Sequence, residues 1–283
     1  MNYTDKIGIM QGRLSKPING KIQSFPTDNW ENEFKIASEI GYSCIEWVID
    51  SDGIDKNPLF LNSKKTTIKS LIKKYNVYIP VVCQDQLMDV PLHSPDDNIS
   101  KSARTSLIKT MEACDSIGIQ FIEIPLVGKS ALSAAADFQN ITGILSSLDS
   151  KANQYGISFI LETDLPPERN AALMENMSGL SVGLNFDMGN SAYWGFDPDH
   201  ELPLIGPWIK NVHVKDCTSK DYTLPLGDGD VDFKKVFTHL KKQKYDGLFI
   251  LQAAPAPGGK EKDIARYYYQ FTQNQIRNYF YES

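Results

Sequence analysis

The sequence predicts an α/β protein folded as a single closed (β/α)8 barrel spanning residues 1–283. Three observations carry that prediction. Short runs rich in Val, Ile and Phe recur along the chain, each followed by a longer segment with helical spacing of its apolar residues. Strict alternation of strand and helix implies a parallel sheet, and eight such units imply a barrel. No GxGxxG follows the first strand, which removes the best-known nucleotide-binding form of the competing open sheet. No linker composition, low-complexity tract or short repeat divides the chain.

The elements follow in order. Ile7 to Met10 is a first strand, and Gln11-Gly12-Arg13 a loop. Trp30 to Ile40 carries Phe34, Ile36, Ala37 and Ile40 at helical spacing and stops at Gly41, a residue suited to a helix C-terminus. Cys44 to Ile49 is the second strand and Asn62 to Tyr75 the second helix. Val77 to Cys83 is the third strand, followed by a helix from Asp97 to Ile117 that Gly118 closes. Phe121 to Val127 is the fourth strand and Ser133 to Tyr155 the fourth helix, closed by Gly156. Ser158 to Glu162 and Pro167 to Met177 form the fifth pair, Val182 to Asp187 and Pro198 to Ile205 the sixth. Lys210 to Lys215 and Asp232 to Lys242 form the seventh, Gly247 to Gln252 and Lys260 to Tyr279 the eighth.

Composition narrows the function classes. Hydrophobic content of 41% with 23% charged residues is that of a soluble globular chain. The net charge of −6 and the absence of a basic cluster argue against a nucleic-acid surface. The N-terminal Met-Asn-Tyr-Thr-Asp-Lys lacks the apolar core of a signal peptide, and no apolar run reaches the length of a membrane span. Cys44, Cys83, Cys114 and Cys217 are scattered and form no CxxC pair, as expected of reduced thiols in a cytoplasmic protein. No sequence feature specifies an oligomer, although a homo-oligomer is compatible with such a barrel.

Four strand ends carry groups able to bind a metal. Ile209 to Asp216 reads Ile-Lys-Asn-Val-His-Val-Lys-Asp. Strand alternation puts Asn211, His213 and Lys215 on one face and the two valines on the other. Glu162, Asp187 and Gln252 end the fifth, sixth and eighth strands. In a barrel, catalytic groups sit at the C-terminal ends of strands, so these three and His213 can converge on one ion. Two carboxylates, an imidazole and an amide oxygen suit Zn²⁺, Mn²⁺ or Co²⁺, with Mg²⁺ as the harder alternative. Such an ion polarises a carbonyl and a neighbouring hydroxyl, and a nearby carboxylate can then remove the proton on the carbon between them, giving an enediolate. That is the chemistry of aldose–ketose isomerisation and of epimerisation beside a ketone.

The segments Leu161-Glu162-Thr163-Asp164, Asn185 to Gly195, Val212-His213-Val214-Lys215-Asp216 and Pro225 to Phe233 stand in an order and spacing that resemble the sugar phosphate isomerase/epimerase group with a xylose isomerase-like TIM barrel. The likeness runs along most of the chain and looks strongest to the ketopentose-phosphate 3-epimerases and the hexulose-6-phosphate isomerase-like proteins. It implies an enzyme of carbohydrate metabolism acting on a small sugar or sugar phosphate, with one divalent ion on Glu162, Asp187, His213 and Gln252. It also implies that Glu162 is the acid/base. A metal-dependent keto-polyol dehydratase and a non-catalytic sugar-binding barrel stand as alternatives.

The sequence departs from the epimerase pattern at Gln252, where those enzymes typically carry glutamate. An amide can ligate a metal but cannot take a proton. A two-base epimerisation therefore loses one base, whereas an isomerisation through an enediol needs only one. Glu46, Asp85, Glu123 and Asp216 are spare acids near other strand ends. Trp47 and Trp194 can stack on a sugar, Arg13 can clamp a substrate oxygen, Asn190 can orient a ligand by a hydrogen bond, and Lys215 and Asp216 can touch substrate or each other. Asp228 and Asp230 would repel a phosphate, while Gly258-Gly259-Lys260 offers backbone N–H groups to one, so both a free and a phosphorylated sugar stay open.

Overall fold

Parallel pairing runs without a break around one sheet, from the first strand to the last and back, in a computed structural model that describes residues 3–18, 20–51, 54–221, 223–255 and 259–281. In chain order the elements are β1 (Ile7–Met10), α1 (Trp30–Ile40), β2 (Cys44–Val48), α2 (Asn62–Tyr75), β3 (Val81–Cys83), α3 (Asp97–Ile117), β4 (Phe121–Leu126) and α4 (Ala135–Tyr155). They continue as β5 (Ser158–Thr163), α5 (Pro167–Asn176), β6 (Val182–Asp187), α6 (Met188–Trp194), α7 (Pro198–Ile205), β7 (Ile209–Val214), α8 (Phe233–Lys242), β8 (Leu248–Leu251) and α9 (Glu261–Ile276). β1 pairs with both β2 and β8, which closes the predicted barrel. No helix among the described residues is long and apolar enough to cross a membrane.

Alternation along each strand sorts side chains into two layers. Ile45, Trp47, Val212, Val214, Phe249 and Leu251 face outward into the main core beneath the helices. Met10, Cys44, Val48, Cys83 and Ile250 form a smaller lumen cluster. Gly8 keeps that lumen closed at its base: a Cβ there would meet Cys44 Sγ at 2.4 Å and Ile250 Cδ1 at 2.6 Å. Glu46, lying between Ile45 and Trp47, therefore points into the lumen, and Trp47 points away from it. All four cysteines are free and buried.

Two local differences from the sequence reading have clear causes. The third strand is shorter than predicted, because Pro80 has no N–H to give to a ladder; Tyr78 makes only an isolated bridge to Cys44. A helix not predicted, α6, follows β6 directly. Asp187 caps it by accepting the Asn190 N–H at 2.9 Å, and Gly195 ends it at φ 72°. Seven residues are too few to show a helical period.

Two buried carboxylates shape the loops at the barrel mouth. Glu33 of α1 is fully buried and accepts the Gly12 N–H at 3.1 Å and the Ser15 hydroxyl at 2.7 Å, which fixes the loop that carries Arg13. Asp216, expected as a substrate contact, instead serves the backbone. Its carboxylate accepts the N–H groups of Gly227 (2.8 Å), Gly229 (3.0 Å), Cys217 (3.0 Å) and Val231 (3.2 Å) and is itself fully buried. Gly229 permits the approach, since a Cβ there would lie 2.1 Å from Asp216 Oδ1.

Each anchor gives a prediction. Burial pushes the Glu33 carboxyl up to about 7, and the Ser15 and Gly12 hydrogen bonds only partly offset it. A carboxyl raised on folding binds its proton more tightly in the native state. Its contribution to stability is complete below the unfolded value near 4.5 and is lost as pH rises through about 7. The stability of wild type minus that of Glu33→Gln should thus fall by on the order of 2 kcal/mol between about pH 5 and about pH 8; a flat difference in urea titrations would refute the assignment. Asp216→Ala should cost on the order of 3 kcal/mol and speed amide hydrogen exchange across 217–231, and unchanged exchange there would show that the loop holds itself.

Candidate functional site

The C-terminal ends of the strands open into a cavity of about 270 Å³ lined by Arg13, Gln23, Asp85, Glu123, Glu162, Lys215 and Gln252, among others. A larger groove of about 840 Å³ runs between α2 and α3, lined by residues such as Phe60, Lys65 and Lys101. That groove lies on the outer surface, between two helices, whereas the smaller cavity gathers acidic and basic side chains from several strand ends.

His213 stands at the base of the site with no exposure to solvent. Its Nε2 lies 3.0 Å from Glu46 Oε1 and 3.2 Å from Glu123 Oε2. Glu46 is held in turn by the Asn211 amide at 3.0 Å. Nε2 thus turns its N–H to the Glu46 carboxylate, and Nδ1, with the Asn185 amide nitrogen 3.0 Å away, is the nitrogen that would meet a cation. Nδ1 faces the other side, 3.5 Å from Glu162 Oε2 and 3.9 Å from Asp187 Oδ2.

The register of the sheet makes this meeting possible, because Asp187 on β6 lies directly beside His213 on β7. Glu162 is oriented by two amides: Asn190 Nδ2 donates to Oε1 at 2.6 Å, and Asn185 Nδ2 to Oε2 at 3.1 Å. Lys215 donates to Asn190 Oδ1 at 2.9 Å and lies 3.5 Å from Asp187 Oδ2. Gly189 lets that lysine lie close against α6, since a Cβ would meet Lys215 Cγ at 2.7 Å.

The electrostatics follow from burial. Desolvation raises the Glu162 carboxyl well above the usual carboxylate range, and the neighbouring Glu123 and Asp187 raise it further. Glu123 is raised too, first by burial, with His213 opposing. Burial alone would discharge His213, but Glu123 and Glu46 outweigh it and hold its pKa well above the ordinary imidazole value. Four carboxyl groups thus crowd one imidazole, and a bound cation would favour their ionised forms.

The residues fit a divalent ion. Glu162, Asp187 and His213 each offer one donor atom, all within 4.8 Å of one another. Tetrahedral donors at ~2.1 Å from an ion lie roughly 3.4 Å apart, close to the observed 3.5 and 3.9 Å from His213 Nδ1. Asp187 divides its labour, Oδ1 capping α6 while the buried Oδ2 accepts no hydrogen bond. The carbonyl oxygen of Gln252 is likewise buried and without a hydrogen-bond donor.

The other expected residues divide into two groups. Arg13, Asp85, Glu123 and Lys215 line the cavity. Arg13 donates to the Ile22 carbonyl at 2.6 Å and keeps a buried Nε without a partner; burial brings its pKa down to about 10, against the pull of Asp85 and Asp187. Burial also raises Asp85 to about 6. Glu46 lies below the cavity on His213, and Asn190 holds Glu162 from behind. Neither tryptophan lines the cavity. Trp47 sits behind the barrel wall, its ring 5.3 Å from Phe25 and 5.6 Å from Trp30, with its indole N–H on Asn57 at 2.9 Å. Trp194 ends α6 and is exposed, bordering a separate cleft with Asn170 and Ser191. Of the Gly258-Gly259-Lys260 segment, Gly258 lies outside the described residues, and Lys260 precedes α9.

Sequence reasoning does not single out Gln23, Asn185 or Asn211 as site residues. The two asparagines each lie two places before a proposed ligand on the same strand, so alternation was a usable signal. Gln23 stands in an irregular loop, and no local pattern marks it.

Comparisons with known proteins agree with this architecture. L-ribulose-5-phosphate 3-epimerase UlaE of Salmonella heidelberg is 24% identical over 236 residues, covering 79% of this chain and 81% of that protein. The crystal structure of an IOLI protein with a bound zinc atom superposes with a TM-score of 0.78 at 16% identity, covering 97% of this chain and 99% of that one. A structure of L-ribulose 3-epimerase gives a TM-score of 0.77 at 13% identity over 96% of this chain and 94% of that one. At these identities the superpositions speak to the fold alone. The xylose isomerase-like TIM barrel family matches residues 34–270, from α1 into α9, and the chain belongs to that family.

Proposed function

We propose that the protein is a divalent-metal-dependent isomerase or epimerase of a sugar or sugar phosphate, transferring a proton at a carbon next to a carbonyl. The observation that carries this reading is the convergence of Glu162, Asp187 and His213 Nδ1 within 4.8 Å, at the base of a cavity edged by Arg13 and Lys215. The relatives named as sugar 3-epimerases support the substrate class.

In this reading Glu162, Asp187, His213 and the Gln252 carbonyl oxygen hold the ion, which when bound supplies Lewis-acid polarisation of a carbonyl and an adjacent hydroxyl. The remaining work belongs to the chain. Glu162 lines the cavity, where its carboxyl can reach a bound substrate to take and return a proton. Asn190 and Asn185 aim its two oxygens, and Lys215 steadies Asn190. Arg13 brings a positive charge and an open N–H to the cavity wall, where they meet hydroxyl or phosphate oxygens.

Gln252 cannot take a proton. A proton moved along one face of the substrate by Glu162 needs no second base, which favours isomerisation. Epimerisation needs an acid on the opposite face. Of the four spare acids, Asp216 is committed to its loop and Glu46 to His213, whereas Asp85 and Glu123 line the cavity, Glu123 also lying 3.2 Å from His213 Nε2.

The test is exchange in D2O with Mn²⁺ present, using L-ribulose, L-ribulose 5-phosphate and D-fructose as probes. Deuterium should enter the carbon next to the carbonyl, at C1 for isomerisation and at C3 for epimerisation. Glu162→Gln should slow exchange by about 10²–10⁴-fold. Loss of a water mass from the substrate would replace the proposal with dehydration. Ligand-induced melting shifts without any turnover would replace it with a sugar-binding barrel.

A further inference from the structure

Gln252 faces a problem that a glutamate at the same place would not have. Either oxygen of a carboxylate can meet a cation, whereas an amide presents an acceptor on one side and a repelling N–H2 group on the other. A glutamine serves as a ligand only if something holds its amide the right way round. The bonds around Gln23 supply that control.

Gln23 lies between two charged groups of opposite hydrogen-bonding character. Its Nε2 donates to Asp85 Oδ1 at 2.8 Å, and its Oε1 accepts from Arg13 Nη2 at 3.5 Å. An ionised carboxylate can only accept and a guanidinium can only donate, so these neighbours fix the sense of the Gln23 amide by chemistry. Cys83 Sγ, a weak acceptor 3.9 Å from Gln23 Nε2, agrees with that sense. The oriented Gln23 oxygen then accepts from Gln252 Nε2 at 3.0 Å. Met10 Sδ, also an acceptor, stands 3.5 Å from the same nitrogen. Both contacts draw the Gln252 amino group to one side. The Gln252 carbonyl oxygen is left buried and without a donor.

We propose that Asp85 and Gln23 are positioning residues that relay a fixed hydrogen-bond polarity to Gln252, so that its carbonyl oxygen, rather than its amino group, faces the metal site. The inference rests on the metal reading given above and adds to it the means by which a neutral amide stands in for a carboxylate. Neither residue touches the ion. Each acts through the next amide in the chain, and reversing any link would turn N–H groups towards the cation.

The test uses Mn²⁺ alone, titrated into the full chain and followed by the electron paramagnetic resonance of the free ion. Wild type should bind one ion per chain. Gln23→Met keeps the length of the side chain but removes the acceptor for Gln252, and should weaken Mn²⁺ binding roughly 10–100-fold. Asp85→Asn, which can accept or donate, should weaken it less. A carboxylate has no wrong side, so Gln23→Met combined with Gln252→Glu should bind as tightly as Gln252→Glu alone, a rescue that mere loss of packing would not permit. Wild-type affinity in Gln23→Met would overturn the relay, as would an equal loss in the Gln252→Glu background. Binding by Gln252→Glu but not by wild type would show that the amide oxygen is no ligand, overturning the relay while leaving the metal site standing. Failure of both to bind would overturn the metal reading and the relay together.

Discussion

His213 is buried with a carboxylate against each side of its ring, and the surrounding structure is arranged to tolerate that. Ionised carboxylates taken out of water are costly unless paired or hydrogen-bonded. Glu46 and Glu123 share the Nε2 side, Glu162 and Asp187 the Nδ1 side. Asn185, Asn190 and Asn211 surround these acids with amide donors, while Lys215 and Arg13 supply positive charge from the rim. The amides do not neutralise anything. They hold each oxygen in place, so the acceptor atoms stay aimed at one small volume between Glu162, Asp187 and Nδ1.

Gln252 removes one ionisable group relative to a glutamate at the same place. The electrostatic pull on a cation is weaker, and the oxygen that remains must be oriented by its neighbours. The same change removes a base from one side of the cavity. Asp85 is tied to both effects, lining the cavity and ending the hydrogen-bond chain that reaches Gln252. In the proposed reaction, substrate geometry and ion affinity therefore share a residue.

Most of the barrel was legible in the sequence because β/α alternation is a long-range, repeated pattern. The meeting of Glu162, Asp187 and His213 was legible because strand ends in a barrel face one mouth. Trp47 was misjudged for a reason that alternation itself supplies: with Glu46 pointing into the lumen, its neighbour must point out. Asp216 was misjudged because a carboxylate that collects backbone N–H groups across a loop looks, in sequence, like any acid after a strand. α6 went unseen because its two turns are too few to establish a helical period, and Gln23 because its position depends on the path of an irregular loop. What escaped the sequence was decided by contacts between residues far apart in the chain, such as Gln23 with Gln252.

Asp187 ties secondary structure to chemistry through a single carboxylate. One oxygen caps α6, and that helix carries Asn190, which holds both Glu162 and Lys215. A change at this position would therefore act at two levels, removing a donor atom and loosening the turn that aims the neighbouring acid. If the proposed ion binds here, phenotypes of Asp187 variants would overstate its share of that binding.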